Sequence, residues 1–363
     1  MNRGNADGGR GGGVNLPVVR GHNEALVLDL LRAAGPVGLG RAGLAARTGL
    51  TPQAVSKITA RLAAEGLVAE AGRDASTGGK PRTRLRLVPG ARHAVGVHLD
   101  RDELRAVRVD LAGGVVAEWS GPLDFGAGPE VVLDAVVRAV ARVADGAGAP
   151  ARLLGVGVAA PGPLDWRGGV LGRVTGFPGW EGFPLREVLV GRLGVAVVVD
   201  KDTNAGVAAG GPAGDGAGSC VYLHVGTGLG AGLRLDGAVY RGARSGAGEF
   251  GHQVLLLDGP RCRCGGRGCL EVLCLEAVAR GDLAGAARVL GEGAANLVAL
   301  LDVDRVLLGG RVVAGAPEVF VRGVREALAA RSLTADPPAV GLAPAGVAEG
   351  AAELVVGRLF GGG

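Results

Sequence analysis

The sequence predicts an α/β body of two similar lobes, preceded by a small helical head of the helix-turn-helix class. Three observations carry this expectation. After Ala91 a set of hairpin strands followed by strand–helix units occurs twice, the pattern of two layered lobes with a cleft between them. Between Arg41 and Glu65 two short amphipathic segments are joined by a glycine turn. Charge divides at the same place. Residues 1–90 hold 13 Lys+Arg against 6 Asp+Glu, a net +7, while the remainder holds 26 against 29, a net −3. A basic head on a slightly acidic body is the charge pattern of a polyanion-binding module joined to something else.

The 363 residues suffice for two or three domains, each with its own core. Only 3% are aromatic, so those cores must rest on Val, Leu and Ala. The three lysines are Lys57, Lys80 and Lys201, which makes arginine the main source of positive charge. The first residues, MNRGNADGGRGGG, contain no apolar run of the signal-peptide kind. No run of eighteen apolar residues suggests a membrane span. Five cysteines, three of them clustered, fit a reducing cytoplasm.

In chain order, residues 1–15 are expected to be a disordered tail. Helical periodicity starts near Asn23, with Leu26, Leu30 and Ala33 on one face, and Gly35-Pro36 ends it. A second helix is expected over about Arg41 to Arg47, with Leu44 and Ala45 turned inward. Gly49 supplies a sharp turn, Thr51 an N-cap and Pro52 a first helical residue. The third helix then runs to about Glu65 on an inner stripe of Val55, Ile58 and Leu62. Its outward residues are Gln53, Ser56, Lys57 and Arg61. Gln pairs with adenine edges, and Lys and Arg reach guanine or phosphate. Alternation over Arg82–Leu87 predicts a strand, with Ser76 to Pro81 as a wing tip that aims Lys80 and Arg82 at phosphate or the minor groove. The head is therefore read as a winged helix-turn-helix over residues 16–89, whose partner is duplex DNA.

The body, residues 90–363, opens with three strands, AVGVHLD, LRAVRVDL and GVVAEWS, and a helix over Pro129–Ala144. LLGVGVAAPGPLD reads as a strand entering a Pro-Gly turn, and VAVVVDKDTNAGVAAG as a buried strand opening a helix. CVYLHVGTGLGAGLRLDG is a strand, a glycine loop and a strand, and DRVLLGGRVV a further strand before a helix near Pro317–Ala330.

Between the last two lies a cluster with metal-ligand chemistry. His252, Cys262, Cys264 and Cys269 fall within eighteen residues among glycines. Three thiolates and an imidazole suit a closed, structural zinc site with no position left for water. Cys-x-Cys neighbours rarely reach unstrained disulfide geometry, which argues against a bridge. Taken alone, Asp202 reads as a helix N-cap, and Glu249 and Glu271 as helix-end or surface charges.

GTGLGAG (226–232), GAGEFGH (246–252) and CRCGGRGCLE (262–271) together resemble the motifs of the ROK family of repressors, open reading frames and sugar kinases, over about Ala91 to Phe360. The head resembles that of its regulator branch. The resemblance implies an actin-like (ribonuclease H-like) two-lobed sugar-binding body. Lobe one would span about 90–203 plus the C-terminal helix, and lobe two about 204–345. It places sugar contacts on Asp202, Glu249, His252 and Glu271, with one ring nitrogen of His252 on zinc and the other towards the sugar. Family kinases hold ATP phosphates and magnesium with an Asp-x-Gly-x-Thr-like loop. Here His98 stands at the aspartate, Asp100 at a glycine and Asp102 near the threonine, so ATP is expected to be repelled. Asp100 and Asp102 are expected to cancel the field of Arg101 between them. Lys201 replaces the usual asparagine before Asp202, with three readings: it pairs with Asp202, favours an acidic or phosphorylated sugar, or points to solvent. Gly176 also replaces an asparagine. The expected function is a sugar-responsive transcriptional regulator, most simply a repressor, working as a homodimer or dimer of dimers without enzymatic activity. The alternative is an ATP-dependent sugar kinase with a fused DNA-binding head.

Overall fold

A computed structural model describes residues 16–73, 83–145, 152–210, 218–332 and 336–361. The expected tail (residues 1–15), Lys80 and Arg82 lie outside the described residues. The chain forms two compact units, Met1–Leu87 with Leu359–Gly361, and Val88–Arg358 with Gly362–Gly363.

The first unit holds α1 (Leu16–Ala34), α2 (Arg41–Thr48) and α3 (Pro52–Ala64). α1 starts seven residues before Asn23, because Pro17 lies in the first turn, where its missing N–H has no helical partner to lose. Gly49 ends α2 at φ 69°, the left-handed region that favours glycine. The Thr51 hydroxyl then accepts from the Ala54 N–H at 3.2 Å and starts α3. The buried stripe of α3 is Val55, Ile58 and Leu62, together with Thr59, whose hydroxyl accepts from Arg41 Nε at 3.3 Å. Strands β1 (Leu39–Gly40), β2 (Val68–Arg73) and β3 (Thr83–Leu87) form an antiparallel sheet in the order β1-β3-β2. The two-residue β1 is too short to show alternation and was not expected.

The second unit repeats one sheet topology. β4 (His93–Leu99), β5 (Glu103–Asp110) and β6 (Val115–Pro122) make an antiparallel meander. After α4 (Pro129–Ala144), β7 (Leu153–Ala160) adds parallel to β4. A small hairpin of β8 (Leu164–Asp165) and β9 (Val170–Leu171) and helix α5 (Leu185–Leu193) lead to β10 (Val197–Lys201), parallel to β7. The order is β6-β5-β4-β7-β10. Helix α6 (Asp202–Ala208) crosses to the second sheet, made of β11 (Cys220–Val225), β12 (Leu229–Leu235) and β13 (Ala238–Val239). Helices α7 (Leu270–Ala279) and α8 (Leu283–Leu301) precede β14 (Arg305–Gly309), and α9 (Arg311–Gly315) and α10 (Pro317–Arg331) precede β15 (Ala339–Leu342). β14 and β15 again add in parallel, giving β13-β12-β11-β14-β15. Two sheets of identical connectivity confirm the two-lobed α/β expectation.

Each lobe has its own core, one around Val97, Val136 and Val158, the other around Leu223, Leu290 and Phe320. The lobes meet through α6 and the final helix α11 (Val347–Val356), where Ala205, Tyr222 and Ala351 pack. α11 lies close on the first sheet because Gly96 and Gly157 have no side chain. A Cβ at either would overlap the backbone carbonyl of Ala348 or Ala351. α8 is long and apolar enough to cross a membrane by length and composition, which the sequence reading did not anticipate. Here it is an amphipathic helix that buries Ala287, Leu290 and Ala294 in the lobe-two core.

Candidate functional site

Asp202, Glu249, His252 and Glu271 come from three places in the chain and line one cavity of about 80 Å³. Asp202 is the first residue of α6, where its Oδ1 accepts from the Thr203 N–H at 2.6 Å. Burial holds its pKa above the usual carboxylate range, against the lowering pull of His224 and Lys201. Glu249 enters the short 3-10 turn Phe250–His252. Glu271 sits in the first turn of α7, and its Oε2 accepts from the Leu229 N–H at 2.9 Å. That bond ties α7 to the glycine loop at Gly226–Gly230.

Lys201 lines the cavity but neither pairs with Asp202 nor points to solvent. It is 4% exposed. Its Nζ donates to the Ala247 carbonyl at 2.6 Å and to Glu249 Oε1 at 3.1 Å, so its partner is Glu249 and not Asp202. The neighbouring Asp200 is held by Arg241 Nε at 2.7 Å. Sequence spacing gave no sign of either pairing, since both partners lie more than forty residues away.

The turn between β4 and β5 faces the glycine loop. Asp100 Oδ1 accepts from the Thr227 hydroxyl at 2.6 Å and from the Arg101 N–H at 2.7 Å. Burial alone would raise the pKa of Asp100; these two bonds, with His98 and His224, outweigh it and lower the pKa on balance. Asp102 Oδ1 accepts from Arg311 Nη2 at 2.7 Å, and the same guanidinium is 3.8 Å from Asp100 Oδ2. The carboxylates flanking Arg101 thus make their close side-chain contacts to Thr227 and Arg311 and not to its guanidinium. Arg101 lines the cavity, with Nη1 3.4 Å from the Thr227 carbonyl. At the end of β4, His98 meets His224 edge-on, with ring centres 6.0 Å apart. Burial first, then His224, push His98 down to about 4, so it is neutral at pH 7.

His252 also belongs to the cysteine cluster. The ligand atoms of His252, Cys262, Cys264 and Cys269 lie within 4.8 Å of one another. Cys264 Sγ and Cys269 Sγ are 3.7 Å apart, and His252 Nδ1 is 3.8 Å from Cys262 Sγ. A tetrahedral ion with metal–sulfur bonds of about 2.3 Å sets its sulfurs about 3.8 Å apart, so the donor set fits a metal ion. Nδ1 faces the cysteines, which leaves Nε2 for the cleft. Cys269 is the N-cap of α7, two residues before Glu271. Cys220 is buried in β11, and Cys274 in α7 bonds the Ala286 carbonyl at 3.6 Å.

In the first unit, Gln53, Ser56, Lys57 and Arg61 are all exposed on α3. Arg61 also forms an ion pair with Glu24 of α1, which spacing along α3 could not reveal.

The family model of the ROK family matches residues 95–279. The xylose repressor of Bacillus subtilis is 29% identical over 259 residues, 70% of this chain and 66% of that protein. The DNA-binding transcriptional dual regulator NagC of Escherichia coli is 32% identical over 269 residues, 72% of this chain and 64% of that protein. The matched region thus spans slightly under two thirds of these relatives. A crystal structure of a ROK family transcriptional regulator, a homolog of the E. coli MLC protein, superposes with a TM-score of 0.76 at 22% identity. It covers 94% of this chain and 97% of its own. A ROK family glucokinase from Streptomyces griseus, in complex with glucose and AMPPNP, gives a TM-score of 0.62 at 25% identity, covering 72% of this chain and 98% of its own. With the family match extending over residues 95–279 of 363, the chain belongs to the ROK family.

Proposed function

We propose that the chain is a sugar-responsive DNA-binding regulator of transcription, a repressor of carbohydrate-utilisation genes, and not an enzyme. The observation that carries this is the contrast within one cleft. Four polar side chains suited to a polyol converge there, while the turn facing the glycine loop holds Asp100 and Arg101, and His98 ends the strand before it. Carboxylates accept paired hydrogen bonds from vicinal hydroxyls, and their burial penalises analogues lacking one. Phosphoryl transfer needs magnesium on oxygen ligands, and a neutral imidazole at the end of β4 is a poor substitute. The relatives named as a repressor and as a DNA-binding transcriptional dual regulator support the same direction.

In this reading residues 16–89 bind duplex DNA. Gln53 reads base edges, while Ser56, Lys57, Arg61, Lys80 and Arg82 contact phosphate or bases. Residues 90–363 bind the sugar through Asp202, Glu249, His252 and Glu271, with lobe one at about 90–203 plus α11 and lobe two at about 204–345. Zinc on His252, Cys262, Cys264 and Cys269 is structural and fixes the approach to α7. A homodimer, or a dimer of dimers, presents two heads to an operator in the cytoplasm. The test is ADP release from ATP with a broad sugar panel at high protein concentration, run beside gel shifts on the chain's own promoter. A gel shift without turnover is expected. Sugar-dependent ADP release that disappears in Asp202→Asn would make the protein a kinase.

A further inference from the structure

We propose that Arg311 and the acidic turn at Asp100 and Asp102 form a releasable latch between the two lobes, and that its release opens the cavity. This rests on reading the cleft as a binding site, and its test needs no ligand.

The lobes are tied together at two places around the cavity. At the end of β10, Arg241 Nε donates to Asp200 Oδ2 at 2.7 Å, and Lys201 Nζ donates to the Ala247 carbonyl at 2.6 Å. Asp200 is 1% exposed, and β10 runs without a break into α6, the crossover between the sheets. This first tie is buried and sits beside the covalent link. The second lies at the β4–β5 turn, two strand positions away in the order β10-β7-β4, or about 10 Å. There Arg311, the first residue of α9, donates to Asp102 Oδ1 at 2.7 Å and stands 3.8 Å from Asp100 Oδ2. The Thr227 hydroxyl donates to Asp100 Oδ1 at 2.6 Å. The side chains of Arg311 and Asp102 are 42% and 55% exposed.

The contrast between the ties decides which one yields. A lobe that rotates about the β10–α6 junction moves the first tie least and the second most. Exposed ion pairs are also the weaker kind, because water and salt screen them, whereas breaking a buried pair strands a charge. Opening therefore proceeds at Arg311. A small organic ligand needs that opening. The cavity measures about 80 Å³, against about 300–1,000 Å³ for pockets that enclose such ligands. Asp100 and Thr227, joined across the latch, both line it.

The test reads opening through a buried thiol. Thr203 lines the cavity and is 3% exposed, and its hydroxyl makes no hydrogen bond among the described residues, so Thr203→Cys costs little. Iodoacetamide reaches that thiol when the lobes part, and peptide mapping separates it from the five native cysteines. In this background Arg311→Gln should speed alkylation about two- to fivefold, the range for loss of an exposed pair. Asp102→Asn should speed it less, and adding Asp102→Asn to Arg311→Gln should change nothing further. Raising salt from about 0.05 M to about 1 M should speed alkylation when Arg311 is present and not in Arg311→Gln. Cys274, buried in the lobe-two core, is the control and should stay unreacted. An unchanged rate in Arg311→Gln, additive effects of the two substitutions, or an equal rise at Cys274, the mark of unfolding, overturns the latch. Each of these leaves the sugar reading standing, since that reading is decided by ligand binding.

Discussion

Replacing Cys264 with serine probes how the cysteine cluster is coupled to the cleft. Cys264 is the exposed member of the set, so the change removes a ligand with little loss of core packing. With the four donor atoms within 4.8 Å, the folded chain needs little rearrangement to take the ion, and binding energy becomes folding energy. An ion bound only by the folded state, at a thousandfold excess over its dissociation constant, stabilises by about 4 kcal/mol. For a body of this size each kcal/mol shifts the melting temperature by about 2–4 °C, so the loss is on the order of 10 °C. Because Cys269 caps α7 ahead of Glu271, sugar affinity should fall with it. The assay is metal content by plasma mass spectrometry, with thermal melts before and after chelation. Cys274→Ser, in the core of the same helix, should lower stability while keeping one zinc per chain. Full zinc and an unchanged melt in Cys264→Ser would refute the assignment.

On the head, Lys57→Ala should weaken operator binding and reduce the slope of log affinity against log salt by about one, whereas Gln53→Ala should change sequence preference at constant slope. Unchanged affinity in the Lys57/Arg61 double alanine variant would remove α3 from the interface. His98 gives a pH prediction. Its folded pKa of about 4 lies below the unfolded value of 6.5, so the unfolded chain binds the extra proton between them. Stability should therefore fall as the pH drops from about 6.5 to about 4, by at most about 3 kcal/mol. Denaturant midpoints across this range should show that contribution in the wild type and not in His98→Gln. Equal acid slopes would contradict it.

The head was legible because each of its signals is local: Gly49, Thr51 and Pro52 act within five residues, and the stripe Val55–Ile58–Leu62 has the helical period. The doubled sheet was legible because hairpin and strand–helix patterns repeat along the chain. The metal cluster could be read because its donors are close in sequence. Other features depend on contacts between distant segments. Lys201 finds Glu249 only when the end of β10 meets the segment before α7, and Arg311 reaches Asp102 across 209 residues. Neither contact could be read from local spacing. The apolar run of α8 was underestimated because its glycines and alanines dilute a signal that packing against α10 makes plain.

The central claim is that sugar in this cleft changes the hold of the head on DNA. Such coupling requires the sugar to bind the two DNA-affinity states differently. The most direct measurement is operator affinity of the full chain by fluorescence anisotropy, titrated with a broad sugar panel, in wild type and in Glu249→Gln. The amide still accepts from Lys201 Nζ and so spares the buried lysine, but it loses the carboxylate that the sugar hydroxyls need. The wild type should shift in affinity with at least one ligand. The variant should bind DNA equally well without ligand and respond weakly or not at all. An equal response in both proteins, or DNA binding indifferent to every ligand that calorimetry shows to bind, would contradict the account.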